Sequence, residues 1–293
     1  IAADSARLDN PDAPLAFTTD SFVVQPLLFP GGDIGRLAVC GTVNDLAARG
    51  AEPIALSLSL ILEEGLPMET LRTVLRSAAQ TATEAGTQIV TGDTKVVERG
   101  GATGVYINTA GIGRLSTDMD FTADRIEPGD ALIVNGPLGD HGIAVMSVRE
   151  GIAFESAVRS DVAPLNTMVH QVLDACGDGV RCMKDPTRGG VAATVNEMAR
   201  GVGFELDEAA LPVRNAVRGA CDLLGFDALT IANEGKMLFV VSPDREGAAL
   251  DALHNHPLGK DAAIIGRADD RIGSVRIATS IGGRRIVETP YGE

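Results

Sequence analysis

The sequence has no tryptophan, only 3% aromatic residues, and no apolar run near the ~20 residues that a membrane-spanning helix needs. No segment is therefore expected to cross a membrane. No signal-like start is present either, and the chain begins at Ile1, which leaves residues upstream open. Positive charge is scarce: 25 Lys and Arg stand against 40 Asp and Glu, a formal net charge of −15. That balance argues against nucleic acid or an anionic membrane as a partner. An acidic protein that binds phosphate needs a divalent cation to bridge the two. Cysteine spacing excludes a Cys-x-x-Cys motif. Cys40, Cys176, Cys182 and Cys221 each lie in or beside an apolar segment, as reduced, buried thiols of a cytoplasmic protein do.

What is present is apolar content and glycine, 45% hydrophobic with 34 Gly in 293 residues. The length predicts two domains at ~150 residues each. The composition suggests an α/β or α+β enzyme with many tight strand–helix turns.

Unusual polar residues fall at three places in the first half. Residues 15–24 read as a β-rich segment interrupted by Thr19-Asp20, although Asp is depleted in strands. A helix over 34–49 carries Asn44-Asp45 in its middle, where a carboxylate on an apolar helix must be paired, hydrogen-bonded or metal-bound. Gly50-Ala51-Glu52-Pro53 is expected to stop it before a strand over 54–62. A second helix is read over 68–85, then a strand running into Thr91-Gly92-Asp93-Thr94-Lys95. An acid, a hydroxyl and a lysine just past a strand end suit a metal with an anionic oxygen ligand, nucleotide phosphate being the obvious one. A solvated turn is the equal alternative. Asp20, Asp45 and Asp93 are expected to converge on a metal. A strand over 105–113 closes this half, and Pro128-Gly129 marks the boundary.

The second half opens with a strand over 131–134 and a turn holding Gly136, Gly139 and Gly142, whose N–H groups are expected to face an oxygen anion ahead of a helix over 143–150. His141 in this turn is read with equal weight as a surface residue. After a helix over 164–175, Asp185, Thr187 and Arg188 precede Gly189-Gly190 at a helix start, a second loop suited to anion and metal, with a solvated turn capped by Asp or Thr as the alternative. Asn233-Glu234-Gly235-Lys236 interrupts two apolar runs, so Glu234 is a candidate ligand or acid/base, with an exposed bulge as the alternative. His254 and His256 before Pro257 read as a surface turn rather than a metal pair. A strand over 262–266 and a hairpin over 275–287 complete the chain.

Taken together, Phe17-Thr18-Thr19-Asp20-Ser21, Gly41-Thr42-Val43-Asn44-Asp45-Leu46-Ala47, Glu63-Glu64-Gly65-Leu66-Pro67-Met68, Thr91-Gly92-Asp93-Thr94-Lys95, Asp185-Pro186-Thr187-Arg188-Gly189-Gly190 and Ala232-Asn233-Glu234-Gly235-Lys236 occur in an order that resembles the HypE family of hydrogenase maturation factors. That family lies in the superfamily of aminoimidazole ribonucleotide synthetase and selenophosphate synthetase. The resemblance covers nearly the whole chain. It implies an α/β (α+β) fold of two domains: a mixed sheet with helices over 1–127 that forms the core of a homodimer, and a sandwich-like α/β domain over 128–293. It also implies ATP and Mg²⁺, with Asp20, Asp45, Asp93 and Asp185 on the metal. Thr19, Asn44, Thr94, Gly139, Thr187, Arg188, Gly189 and Gly190 would line the nucleotide. Asp45, Lys95 and Glu234 would be catalytic, Lys95 steadying the transferring phosphoryl group and Glu234 taking the amide proton.

The reaction implied is ATP-dependent dehydration of a carboxamide, carried on a C-terminal cysteine, to a thiocyanate that supplies cyanide to the iron of a [NiFe]-hydrogenase precursor. The implied partners are the carbamoyltransferase HypF and the iron-carrying HypC–HypD complex, in the cytoplasm. The family ends in Pro-Arg-Ile-Cys, whereas the sequence reads Pro290-Tyr291-Gly292-Glu293, so the carrier cysteine is expected on a truncated or mobile tail. Selenophosphate synthetase, thiamine-phosphate kinase and a nucleotide-sensing scaffold for maturation proteins remain the alternatives.

Overall fold

The computed structural model describes residues 6–8, 14–115, 119–151 and 158–290. The N-terminal half runs β1 (Ala6–Leu8), β2 (Leu15–Phe22), the short pair β3 (Leu28–Phe29) and β4 (Gly32–Asp33), α1 (Ile34–Ala48), β5 (Ala51–Glu63), α2 (Met68–Glu84), β6 (Ile89–Val97) and β7 (Val105–Leu115). Its sheet has the order β1-β2-β7-β5-β6, antiparallel except for the β5–β6 pair. Period-two alternation gives this sheet two unlike faces. Thr18, Phe22, Leu56, Leu58, Leu60 and Ile107 are buried, on the side that α1 and α2 cover. Phe17, Ile54, Ile61 and Ile112 lie on the other side and remain 38%, 44%, 43% and 39% exposed.

The C-terminal half continues with β8 (Ala131–Val134), α3 (Asp140–Arg149), α4 (Asn166–Cys176), β9 (Val180–Lys184), α5 (Gly190–Met198), β10 (Gly203–Asp207), α6 (Asn215–Leu224), β11 (Leu238–Val241), α7 (Glu246–His254), β12 (Ala263–Asp269), β13 (Val275–Ala278) and β14 (Arg284–Ile286). The seven strands lie in the order β14-β13-β10-β12-β8-β11-β9, with only β10–β13 parallel. Both faces are covered, which is why β8 and β11 read as unbroken apolar runs. Leu132, Val134, Leu238 and Val240 pack with Val191, Val195 and Met198 of α5. Ala131, Ile133, Phe239 and Val241 pack with Met168 and Val172 of α4 and Leu253 of α7.

Helix α1 joins the halves. Asp33 caps it, accepting from the Gly35 and Arg36 N–H groups at 2.7 and 3.1 Å. Every residue of α1 except Arg36 and Asp45 is buried. Its apolar residues pack under the N-terminal sheet, and Ala47 and Ala48 join Leu165, Met168 and Phe239 of the C-terminal core. A helix covered all round shows little amphipathic pattern.

Several expectations are corrected. The stretch 91–95 is not a turn beyond a strand but the middle of edge strand β6. Gly92 is required there by close approach, since a Cβ would stand 1.9 Å from the Leu58 carbonyl oxygen. Pro53 does not end an element: it lies within β5 at the register shift against β7, where a missing N–H is tolerated. Helix α3 starts at Asp140, three residues earlier than read. Strand β10 and helix α6 were not anticipated; β10 is only five residues long, and pairing with β12 and β13 holds it in place. His254 and His256 do sit at a helix end and turn, engaging the Ala262 carbonyl and the Thr167 hydroxyl.

Candidate active site

Asp45 is one of the two α1 residues not buried, and its carboxylate accepts a hydrogen bond from the Thr18 hydroxyl of β2 at 2.8 Å. It faces a cavity of about 810 Å³ between α1, α3 and the loop that follows β9. Asp185, Thr187, Arg188 and Gly189 line the same cavity, so two of the sequence motifs meet there. Val145, Met146, Phe226 and Ile231 give it an apolar side.

The 185–190 loop is held from below. The Pro186 carbonyl accepts from both the backbone and side-chain N–H groups of Asn233 at 3.1 Å, and the Gly190 N–H returns to the Thr187 carbonyl at 3.0 Å. Gly190 has φ +60°, and a Cβ there would lie 2.5 Å from the Leu229 carbonyl oxygen. Its glycine identity thus follows from backbone conformation and packing. The turn at 136–142 is also corrected. Gly139 donates its N–H to the Asn233 side chain at 2.8 Å and Gly142 to the Ala232 carbonyl at 3.2 Å, so these two amides fasten the 231–233 segment instead of facing an anion. Asn233, fully buried, is the hub of these contacts, and the sequence marked it only as a polar interruption.

Asn44 faces the C-terminal half. Its side chain donates to the Ala163 and Glu234 carbonyls at 3.2 and 3.4 Å and accepts from the Leu165 N–H at 2.8 Å. It ties the two halves together behind the cavity. The Glu234 N–H in turn donates to Asp161 at 3.1 Å, and Asp161 forms a buried ion pair with Lys236 at 2.8 Å. Lys236 was quoted in the sequence only as the end of a polar interruption and Asp161 not at all, since a lone buried pair leaves no spacing signal. Desolvation, reinforced by the negative charges of Asp185, Asp161 and Asp20, holds the Glu234 carboxyl well above the usual carboxylate range. Asp20 is raised as well by desolvation, with the Ser21 N–H and the positive charge of Arg188 pulling the other way.

The expected convergence of Asp20, Asp45 and Asp93 does not occur within one chain. Asp20 lies on the helix side of the sheet, its carboxylate oxygen 3.8 Å from where a Cβ on Gly41 of α1 would stand. Asp93 pairs with Ser59 and Lys95 with Ile61, residues of the open face. A register shift at the start of the β5–β6 pair sets that orientation. Three inter-strand steps also separate β2 from β6, about 14 Å at ~4.8 Å per step. Thr94 pairs with Leu60 on the helix side but is exposed at the sheet edge. The Thr19 hydroxyl is engaged by the Thr109 carbonyl and the Asn108 amide. Among the described residues no group of three or more His, Cys, Asp or Glu is placed to hold a metal ion.

His141 is not a surface turn residue. It is 6% exposed, lines the cavity, meets the Phe29 ring edge-on with centroids 5.4 Å apart, and has Nδ1 2.9 Å from the Ser160 hydroxyl. Burial pushes its pKa down to about 4, against the pull of Asp161. Thr289 and Pro290, at the C-terminal end of the described chain, also line the cavity, the Pro290 ring approaching Gly189.

Residues 3–115 match the N-terminal domain model of AIR synthase related proteins, and residues 127–277 match the C-terminal one. A relative from Rhizobium leguminosarum bv. viciae, named carbamoyl dehydratase HypE, is 50% identical over 294 residues, which span 99% of this chain and 84% of the relative. Among solved structures, a HypE–HypF complex superposes with a TM-score of 0.94 at 46% identity, over 98% of this chain and 93% of that one. A hydrogenase maturation protein HypE in complex with ATP superposes at 0.93 with 45% identity, over 99% of this chain and 88% of that one. On these matches, which span nearly the whole length, the chain belongs to the HypE family of carbamoyl dehydratases.

Proposed function

We propose that this protein is an ATP-dependent carbamoyl dehydratase that converts a carboxamide held on a cysteine sulfur to a thiocyanate, the source of the cyanide ligand for a [NiFe]-hydrogenase iron centre. The observation that carries this is the cavity itself. It gathers Asp45, Asp185, Thr187 and Arg188, and the chain's C-terminal stretch, Thr289 and Pro290, runs along its wall. A segment continuing from Pro290 starts beside the loop suited to phosphate. We take residues 1–127 and 128–293 as the two domains whose junction forms the site.

The chemistry asks for an oxygen to leave an amide, which it does poorly until phosphorylated. The amide oxygen takes the phosphoryl group from ATP and departs as phosphate, while the nitrogen gives up two protons. Glu234 is suited to exchange those protons, since a carboxyl raised by burial and like charge is a stronger base when ionised and a donor when not. The donor set fits Mg²⁺ that arrives with nucleotide. Mg²⁺ is commonly held by one or two carboxylates plus substrate phosphates, and Asp20, Asp45 and Asp185 offer hard oxygens without forming a closed cage. When bound, it would neutralise triphosphate charge in an acidic site.

Asp93 and Lys95 join from a different direction. They lie on the open face with exposed Phe17, Ile54, Ile61 and Ile112. A second copy covering that apolar face as a homodimer would bring them to a subunit boundary, where Lys95 would meet the phosphoryl group. A solved complex joins a relative to HypF; HypF would be the source of the carbamoyl group, and HypC–HypD the acceptor of the product. The compartment is taken as the cytoplasm, which suits four buried cysteine thiols. No described helix is long and apolar enough to cross a membrane.

The test is ADP release by a form that carries a C-terminal cysteine, with and without carbamoylation by HypF. Release is expected only with the carbamoyl group, and Asp45→Asn should abolish it while circular dichroism stays unchanged. ADP release indifferent to carbamoylation would overturn the dehydratase assignment.

A further inference from the structure

We propose that His141 binds ligand directly, presenting an uncharged Nε2–H group from the cavity wall to a phosphoryl oxygen. This deepens the assignment of the same cavity to ATP-dependent chemistry and rests on it for the identity of the ligand.

The tautomer follows from the neighbours of Nδ1. The Ser160 hydroxyl oxygen accepts the Val162 N–H at 3.1 Å, and the Ser160 N–H is donated to the Pro30 carbonyl at 2.7 Å. Among the described residues the hydroxyl proton has one acceptor, His141 Nδ1 at 2.9 Å. Were Nδ1 itself protonated, that hydroxyl proton would have no protein acceptor among the described residues, so an accepting Nδ1 satisfies the partly buried pair best. Nδ1 therefore accepts, and the ring proton sits on Nε2. Nε2 has no protein partner among the described residues, and it is not one of the polar atoms sealed without one. With Nδ1 turned to Ser160, the remaining 6% exposure of the residue opens on the cavity.

Position and charge fit the same role. The ring is fixed by the edge-on Phe29 contact and the Ser160 bond, so no rotamer freedom need be lost on binding. The residue lies in the first turn of α3, whose dipole favours an anionic neighbour and a neutral imidazole. Asp45 and Asp185 face the same space with Arg188, and desolvation outweighs the pull of Asp161 on the ring and keeps it neutral. A neutral donor contributes a hydrogen bond without placing another buried charge among these carboxylates.

Glutamine places an amide nitrogen where Nε2 sits, whereas asparagine reaches only the position of Nδ1. The experiment is titration calorimetry of a non-hydrolysable ATP analogue with Mg²⁺ on wild type, His141→Gln and His141→Asn, with nitrogen-15 NMR of the wild-type imidazole. H141N should weaken the analogue about tenfold and H141Q less than about threefold, on the scale of one hydrogen bond. The imidazole should be the neutral Nε2–H form and its Nε2 resonance should move on analogue binding. An Nδ1–H tautomer, an unmoved resonance, or an H141N affinity equal to wild type would overturn the proposal; the last would instead point to the carboxamide oxygen. If H141N does not fold, the wild-type spectra decide alone. Analogue binding that depends on His141 without carbamoyl-dependent ADP release would count against the dehydratase assignment and leave this one standing.

Discussion

Strand β11 of the C-terminal sheet has all four side chains buried, alternate ones reaching α5 on one side and α4 with α7 on the other. Strand β5 of the N-terminal sheet buries Leu56, Leu58 and Leu60 under α1 and α2 but turns Ile54 and Ile61 outward. One sheet is finished within the chain; the other is finished on one face only. The contrast explains the division of labour between the halves. The doubly covered sheet is a rigid platform that positions the 185–190 loop and the Asn233 hub. The half-covered sheet supplies Asp20 on its helix side, Asp93 and Lys95 on its open side, and a face whose apolar residues suit a second copy. Helix α1, shared by both cores, sets Asp45 at the seam.

The contrast is open to measurement, beginning with the largest effect. Phe239→Ala removes a fully buried ring from the two-sided sheet and should cost about 3–5 kcal/mol in urea unfolding. A loss near the ±0.5 kcal/mol typical of surface positions would mean that the platform is not rigid.

The second measurement probes the seam. With its pKa at about 4 in the fold and an ordinary value of 6.5, His141 is neutral when folded and takes a proton more readily when the chain unfolds. The unfolded state therefore binds more protons between those values. The stability due to this group is fully present above pH 6.5 and is lost as the pH falls towards 4, by on the order of 3 kcal/mol. His141→Gln should remove that component of the pH dependence in equilibrium unfolding. Parallel pH profiles for the two proteins would show that the seam does not carry it.

The smallest effect on the fold is expected on the open face. Ile61→Asp should change unfolding free energy by less than about 1 kcal/mol per chain, because the side chain is half exposed. Sedimentation should nevertheless show the assembly dissociating. Unchanged assembly mass would mean that another surface joins the copies.

Much of this was legible from residue order. The period of α2 and the unbroken runs of β8 and β11 are local signals, and local signals survive without tertiary context. Asp185, Thr187 and Arg188 were legible as a loop because two glycines follow them. Faces were harder to read. In β6 a register shift against β5 decides which way Asp93 points, and five residues of sequence do not display a shift that exists only in pairing. The glycines at 139 and 142 matched an anion-binding spacing, but their N–H groups were taken by a segment some ninety residues away. His141 was indistinguishable from a surface residue because nothing nearby in sequence shows that Phe29 and Ser160 enclose it.

The sequence by itself determined the acidic, glycine-rich composition, the strand and helix segments around the motifs, and the ordered motifs that mark the family. Tertiary structure alone decided which acids share a cavity, which glycine amides are occupied, and which residues enclose the His141 ring. The physical reason is common to all three. Each depends on a partner distant in the chain, and a hydrogen bond or a sheet register is specified only when both of its members are in place.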